Sequence, residues 1–319
     1  MKHTTAGSRL RDVLAGDRCV TAASLFDPMS ARIADRIGFE VGVMGGSVAS
    51  FAVLGDPDLM LLTLTELAEQ TRRICRAGRL CVIVDGDHGY GNALSVMRTV
   101  RELQAAGAAG LTIEDTLLPR AYGSPAQAGL LPLEEGVGKM KAALEARAET
   151  GSDGPLILGR TSAVSITGID DAVRRLTAYR EAGVDGLFLP GLKQREELDR
   201  IAEAVALPIV LGGCHERLAD PAYLASRNVR IWMGGHQAFA AAVQAVYDTL
   251  SDVHAGRMPS QLHDLASPDL MAALTRTDYF EEKSARYLGT PDQEPARQKE
   301  GGAPGRDERP DEAPMRQCG

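Results

Sequence analysis

A chain of 319 residues with 44% hydrophobic content is long enough for one large core or two modest ones. Its formal net charge of -8 argues against a nucleic-acid surface, and no basic patch is interleaved with aromatics. No apolar run approaches the length of a membrane span, and Met1-Lys2-His3-Thr4-Thr5 does not begin a signal-peptide pattern.

Short apolar runs alternate with amphipathic stretches along the chain. The first strand is predicted at Cys19–Ala23, then a helix over Pro28–Ile37, with Asp27 as its N-cap and Pro28 in its first turn. Val41–Met44 is the second strand, and Gly45-Gly46-Ser47 after it reads as a turn that offers backbone N–H groups to an anion, or as a plain tight turn. A helix over Leu64–Ala77, the strand Leu80–Asp85, a helix over Ala93–Ala106 and the strand Gly110–Glu114 follow. Next come helix Glu134–Ala148, strand Leu156–Arg160, helix Asp170–Ala182 and strand Gly186–Leu189. Helix Arg195–Val205, strand Pro208–Leu211, helix Pro221–Ser226, strand Val229–Met233 and helix Gln237–Leu250 complete the alternation. Gly38, Gly107 and Gly183 mark helix C-termini.

Eight such units within about 250 residues predict an α/β fold, a (β/α)8 TIM barrel. A doubly wound sheet is the alternative, disfavoured because no GxGxxG opens the first helix. Ser267–Tyr279 and Glu281–Tyr287 add C-terminal helices, so residues 1–288 are expected to form a single barrel domain. The Pro-, Gly- and charge-rich segment 289–319 is expected to be a disordered polar tail. Cys19, Cys75, Cys81, Cys214 and Cys318 show neither CxxC pairing nor a zinc spacing, which suggests reduced thiols in a cytoplasmic protein.

In a barrel of this kind ligands gather at the C-terminal ends of the strands. Those ends carry Ser24 and Asp27, the Gly45-Gly46-Ser47 turn, Asp85, Asp87 and His88, Glu114, Arg160, Cys214 and His215, and His236. The stretch Val82-Ile83-Val84-Asp85-Gly86-Asp87-His88-Gly89 ends an apolar run in acids at i and i+2, expected on one side of a strand. Crowded acids need a counter-charge, and hard oxygen donors suggest Mg²⁺ or Mn²⁺. Arg160 ends a run that would otherwise be buried, so its charge needs a carboxylate or a ligand, and a clamp on a substrate carboxylate fits its planar fork. His236 follows Gly234-Gly235 and heads a helix, facing a ligand or capping that helix. A cation with an arginine and backbone donors suits a small 2-oxo acid whose enolate needs stabilising. No lysine ends a strand, which disfavours a Schiff base. Decarboxylation, carbon–carbon lysis and phosphorus–carbon chemistry share that enolate problem.

Several motifs stand together: Ser24-Leu25-Phe26-Asp27-Pro28-Met29-Ser30-Ala31-Arg32, Gly45-Gly46-Ser47, Asp85-Gly86-Asp87-His88-Gly89-Tyr90-Gly91-Asn92, Ile113-Glu114-Asp115-Thr116, Gly159-Arg160-Thr161 and Gly235-His236. With them the chain resembles the isocitrate lyase and phosphoenolpyruvate mutase superfamily, most closely its oxaloacetate decarboxylase branch. The resemblance implies a barrel whose eighth helix is swapped between partners in a homodimer or a homotetramer built as a dimer of dimers. It implies Mg²⁺ or Mn²⁺ with Asp87 as direct ligand and Asp58, Asp85 and Glu114 holding the metal's waters. Gly46 and Ser47 would bind the C1 carboxylate, Arg160 would contact the 2-oxo acid, and His236 matches the histidine of the decarboxylase branch. Lyases of the superfamily carry a Lys-(Lys/Arg)-Cys-Gly-His loop after the fourth strand, whereas this chain has Leu117-Leu118-Pro119-Arg120-Ala121-Tyr122-Gly123-Ser124, without lysine or cysteine. The decarboxylases' Thr-Tyr-Gly after the seventh strand is replaced by Gly212-Gly213-Cys214-His215, where Cys214 or His215 would line the substrate's far end. The expected activity is metal-dependent decarboxylation of oxaloacetate or a C3-substituted relative. The alternative is a carbon–carbon lyase or a phosphonopyruvate-processing enzyme on the same scaffold.

Overall fold

The computed structural model describes residues 5–120, 123, 129–149, 151, 154–213 and 215–289. Among them, one parallel sheet contains β1 Val20–Thr21, β2 Ala23–Ser24, β3 Val41–Met44, β4 Cys81–Asp85, β5 Gly110–Glu114, β6 Leu156–Arg160, β7 Gly186–Pro190, β8 Ile209–Gly212 and β9 Val229–Met233. The order across the sheet is β1-β9-β8-β7-β6-β5-β4-β3-β2. Strands β1 and β2 are one predicted strand interrupted at Ala22; its first half pairs with β9 and its second with β3. The two sheet ends are therefore the same piece of chain, and the sheet closes as the expected (β/α)8 barrel. Ala22 N–H donates to the Trp232 carbonyl at 2.8 Å and Leu25 N–H to that of Val43 at 2.9 Å, so the backbone changes partners without losing donors.

Around the barrel lie α1 Ala6–Ala15, α2 Pro28–Ile37, α3 Gly46–Val53, α4 Leu64–Cys75, α5 Ala93–Ala106, α6 Leu133–Glu149 and α7 Ala163–Ile166. They continue with α8 Ile169–Ala182, α9 Arg195–Ala204, α10 Pro221–Ser226 and α11 Gln237–His254. Local chemistry fixes many of their ends. Asp27 and Ser30 form a capping box ahead of Pro28, and Gly38, Gly107 and Gly183 close α2, α5 and α8 in the left-handed conformation. Helices α1, α3 and α7 depart from the predicted pattern. The sequence of α3, Gly-Ser-Val-Ala-Ser-Phe-Ala-Val, carries no charged residue and shows no clear polar face, so its helical period is invisible.

Two apolar layers follow from the alternation along each strand. Val41, Val43, Cys81, Ile83, Leu156, Leu158, Val210 and Ile231 point into the barrel, where Leu10 and Leu14 of α1 join them. Val82, Val84, Leu111, Ile113, Ile157, Leu187, Leu189 and Leu211 point outward into the helical layer. Continuing the inward rows carries Asp85, Glu114 and Arg160 to the barrel's interior rim, while Asp115 falls on the outward side.

The chain divides into two compact units, Met1–Leu265 and Ala266–Gly319. The described part of the second contains α12 Pro268–Thr275 and α13 Thr277–Leu288. The segment read as a polar tail lies, from residue 290 onward, outside the described residues.

Candidate active site

Strand register assembles the charged centre. Asp85 pairs with Thr112 across β4 and β5, and Glu114 pairs with Arg160 across β5 and β6. Thr112 Oγ1 donates to Asp85 Oδ1 at 2.8 Å, and Nη1 of Arg160 lies 2.6 Å from both Asp85 oxygens. Nε of Arg160 is 3.3 Å from Glu114 Oε2, an ion pair without hydrogen-bond geometry. Thr116 Oγ1 donates to the same Glu114 oxygen at 2.6 Å. Burial opposes ionisation of Asp85, but Arg160 and these donors hold its carboxyl below the usual carboxylate range. Burial also opposes the charge of Arg160, yet Asp85 and Glu114 keep it protonated beyond the ordinary guanidinium range. Glu114 moves the other way, raised chiefly by its burial.

Asp87 reaches this centre by a different route from the one predicted. Strand β4 ends at Asp85, and Asp87 lies beyond it with φ +46, so strand alternation does not orient its side chain. A left-handed turn, which Asp tolerates, brings it round instead. The backbone of Gly46 approaches so closely that a Cβ there would lie 2.8 Å from Asp87 Oδ1 and 3.0 Å from Oδ2. Asp87 is 6% exposed, and among the described residues no hydrogen bond or ion pair reaches its carboxylate. Burial, and then the charge of Asp85, push its pKa well above the ordinary value. A buried, unpartnered oxygen donor beside two further carboxylates fits a hard divalent cation, which keeps several waters and takes one or two protein carboxylates directly. Among the described residues no three His, Cys, Asp or Glu side chains converge as a ready-made cage. Arg160 is ion-paired to Asp85 and Glu114, whereas the Asp87 carboxylate lies against the Gly46 backbone with no ion pair among the described residues.

Two cavities meet at these residues. The inner one, about 220 Å³, is lined by Gly45, Gly46, Ser47, Asp85, Asp87, Arg160, Phe188, Gly212, Gly213 and His236. The outer one, about 530 Å³, is lined by Asp58, Asp87, Glu114, Arg120, Arg160 and Ser162. Asp58 borders both, its pKa raised by desolvation and then by Asp85. His236 Nδ1 is 2.7 Å from Ser24 Oγ, and a Cβ on Gly45 would lie 2.8 Å from His236 Nε2, so this histidine crosses the mouth of the glycine turn. Burial lowers the His236 pKa, which favours a neutral ring.

Residues 10–254 match the family model of phosphoenolpyruvate phosphomutase. An oxaloacetate decarboxylase of Rhodopseudomonas palustris (strain BisA53) is 57% identical over 280 residues, covering 88% of this chain and 96% of that protein. The chain belongs to the phosphoenolpyruvate mutase and isocitrate lyase superfamily. Among solved structures, 2,3-dimethylmalate lyase superposes with a TM-score of 0.80 at 27% identity, covering 90% of this chain and 97% of that one. A phosphonopyruvate hydrolase in complex with oxalate and Mg²⁺ gives a TM-score of 0.79 at 29% identity, covering 89% and 99%.

Nine of the predicted site residues thus converge in this superfamily barrel: Ser24, Gly46, Ser47, Asp58, Asp85, Asp87, Glu114, Arg160 and His236. His215 is not brought into the cavities; it is exposed, and its ring accepts from Arg217 N–H at 3.3 Å as the cap of a short 3-10 turn. Cys214, and residues 121, 122 and 124 of the loop after β5, lie outside the described residues. Gly45-Gly46-Ser47, read as a turn, opens α3, with Gly45 at the N-cap and no side-chain cap.

Sequence reasoning missed Thr112, Thr116 and Phe188. Thr112 was findable, because it stands two residues before Glu114 on one strand face. It also missed what lies behind the rim. Asp115 Oδ2 accepts from Thr161 Oγ1 at 3.1 Å, Arg175 Nη1 at 2.9 Å and Tyr179 OH at 2.6 Å. Asp115 and Thr161 directly follow Glu114 and Arg160, so this buried cluster ties β5, β6 and α8 together just behind the pair that faces the cavity.

Proposed function

We propose that this protein is a Mg²⁺- or Mn²⁺-dependent decarboxylase of oxaloacetate or a closely related 2-oxo diacid, releasing CO2 and a pyruvate-type product. The observation that carries the reading is the buried, unpartnered Asp87 carboxylate facing the same small cavity as Arg160, the Gly46-Ser47 helix start and His236. The naming of relatives at 51–57% identity as oxaloacetate decarboxylases supports it.

Asp87 would hold the cation directly, with Asp58, Asp85 and Glu114 holding its waters. When bound, that cation supplies a Lewis acid for the negative charge that develops as CO2 leaves. The N–H groups at the start of α3, which no N-cap side chain bonds and of which that of Gly46 makes only a long 3.5 Å bond to Asp85 Oδ2, suit the C1 carboxylate together with the Ser47 hydroxyl. Arg160 is anchored through Nη1 and contributes positive charge beside the 2-oxo group. A Ser24 hydroxyl donating to Nδ1 of neutral His236 leaves Nε2–H as a donor for the distal carboxylate. This anchoring asks nothing of a lysine or cysteine in the loop after β5, the feature that sets the lyase reading apart.

Helix α11 supports an oligomer with exchanged eighth helices. It has no buried residue, and Val243, Val246, Tyr247, Leu250 and Val253 stand 51–68% exposed. No helix of the described residues is long and apolar enough to cross a membrane, and the unpaired thiols Cys75 and Cys81 suit a reducing cytoplasm.

Pyruvate formation from oxaloacetate, measured with Mg²⁺ or Mn²⁺ against a metal-only blank, tests the reading. Rates no higher than the blank would overturn it. Turnover of phosphonopyruvate alone would move the protein to phosphorus–carbon chemistry.

A further inference from the structure

We propose that Lys139, together with Thr99, positions Asp87 by pinning the backbone that carries it. Four consecutive carbonyls around Asp87 each accept a hydrogen bond. Gly86 O accepts from Gly89 N at 2.8 Å and Asp87 O from Glu114 N at 2.9 Å. His88 O accepts from Lys139 Nζ at 2.7 Å and Gly89 O from Thr99 Oγ1 at 3.1 Å. The first two bonds are backbone to backbone, one closing a turn and the other reaching the end of β5. The last two come from side chains on α6 and α5, and their removal leaves the two backbone bonds in place.

The backbone they hold is not an ordinary one. Asp87 at φ +46 and Gly89 at φ +77 flank His88, so the His88 peptide lies between two left-handed residues and would rotate readily without its donor. Lys139 is only 2% exposed, and among the described residues no carboxylate lies within ion-pair distance of its ammonium. A buried ammonium is costly, and methionine would fill the same volume. Glu135, Glu114 and Asp115 act on the ammonium through space, and the bond to His88 O is the direct contact it makes among the described residues.

This inference rests on the metal-binding role assigned to Asp87, and the test separates the two. Mn²⁺ is titrated by calorimetry into wild type, Lys139→Met and Thr99→Val, with melting temperature and kcat recorded for each. The expected result for Lys139→Met is Mn²⁺ affinity weakened about 10-fold or more, with kcat largely recovered at saturating Mn²⁺. Thr99→Val should weaken Mn²⁺ in the same direction by less. A folded Lys139→Met with wild-type Mn²⁺ affinity would make the lysine merely structural and overturn the proposal. Should Lys139→Met not fold, Thr99→Val decides, and unchanged affinity in that variant overturns it. Absence of Mn²⁺ binding by wild type would instead overturn the functional reading, and with it the purpose assigned to these two side chains.

Discussion

Replacing Asp87 by Asn should make the metal-free protein more stable and the enzyme inactive. Asn keeps the volume and tolerates the left-handed φ of +46, so the backbone has no reason to move. What changes is a buried charge with no hydrogen-bond partner, 6% exposed and close to Asp85 and Glu114. Leaving a buried polar group unsatisfied costs about 1–3 kcal/mol, and more for a charged one. Asn is neutral but still polar, so the metal-free variant should gain only the difference between a charged and a neutral group there, on the order of 1 kcal/mol, at about 2–4 °C of Tm per kcal/mol for a unit of this size. The sign also sets a pH dependence. Because burial raises the Asp87 pKa, its ionisation destabilises the fold above the ordinary carboxyl range and has no effect below it. The advantage of Asp87→Asn should be absent below about pH 4 and grow as the pH rises above the ordinary carboxyl range. Mn²⁺ inverts the order: at 100 times its Kd a ligand adds about 2.7 kcal/mol to wild type, and the variant, lacking the direct ligand, gains little. Thermal melts of both proteins, with chelator and with Mn²⁺, at neutral and acid pH, measure all of this. If metal-free Asp87→Asn melts no higher than wild type and Mn²⁺ raises both equally, Asp87 is neither unpartnered nor a ligand.

Arg160→Lys keeps the charge, but a single ammonium cannot hold Asp85 and also lie along Glu114; kcat/KM should fall about 10- to 100-fold, the equivalent of one charge-assisted hydrogen bond. Gly45→Ala places a methyl 2.8 Å from His236 Nε2, so kcat/KM should drop while the melting temperature stays near wild type. Tyr179→Phe removes one donor to buried Asp115 and should cost about 1–3 kcal/mol in urea unfolding, with activity at saturating metal retained in the folded fraction. Asp171, bonded by Arg175, Arg174 and Thr167, has its pKa lowered to about 2 even though burial opposes this. Its contribution to stability should be present above the ordinary carboxyl range and lost as pH falls toward 2, and Asp171→Asn should flatten that acid limb of the unfolding curve.

Much of the barrel is legible because its signals are local. The predicted bounds of β3, β5, β6, β9, α2, α5 and α10 coincide with the structure, since each is a short apolar run or an amphipathic stretch closed by its own cap. Where local signals fade, prediction fades with them. Helix α3 opens at two glycines and has no clear polar face, and the split first strand becomes visible only through its two partners, β9 and β3.

The sequence by itself determined which chemistry is present: four acids, one arginine and several histidines at strand ends, with period-two alternation expected to turn Asp85 and Asp87 to one side, which holds for Asp85 only, because β4 ends there. It could not determine how these groups divide their charges. That depended on register, which sets Glu114 opposite Arg160 and Asp85 opposite Thr112, and so satisfies Asp85 while Asp87 goes unpartnered. It depended too on contacts between residues far apart in the chain: Tyr179 and Arg175 on Asp115, Lys139 on His88, Ser24 on His236. A strand's alternation is fixed by covalent geometry and is written in its neighbours, but the partner of a buried charge is whatever the closed barrel brings within 3 Å, roughly one hydrogen-bond length.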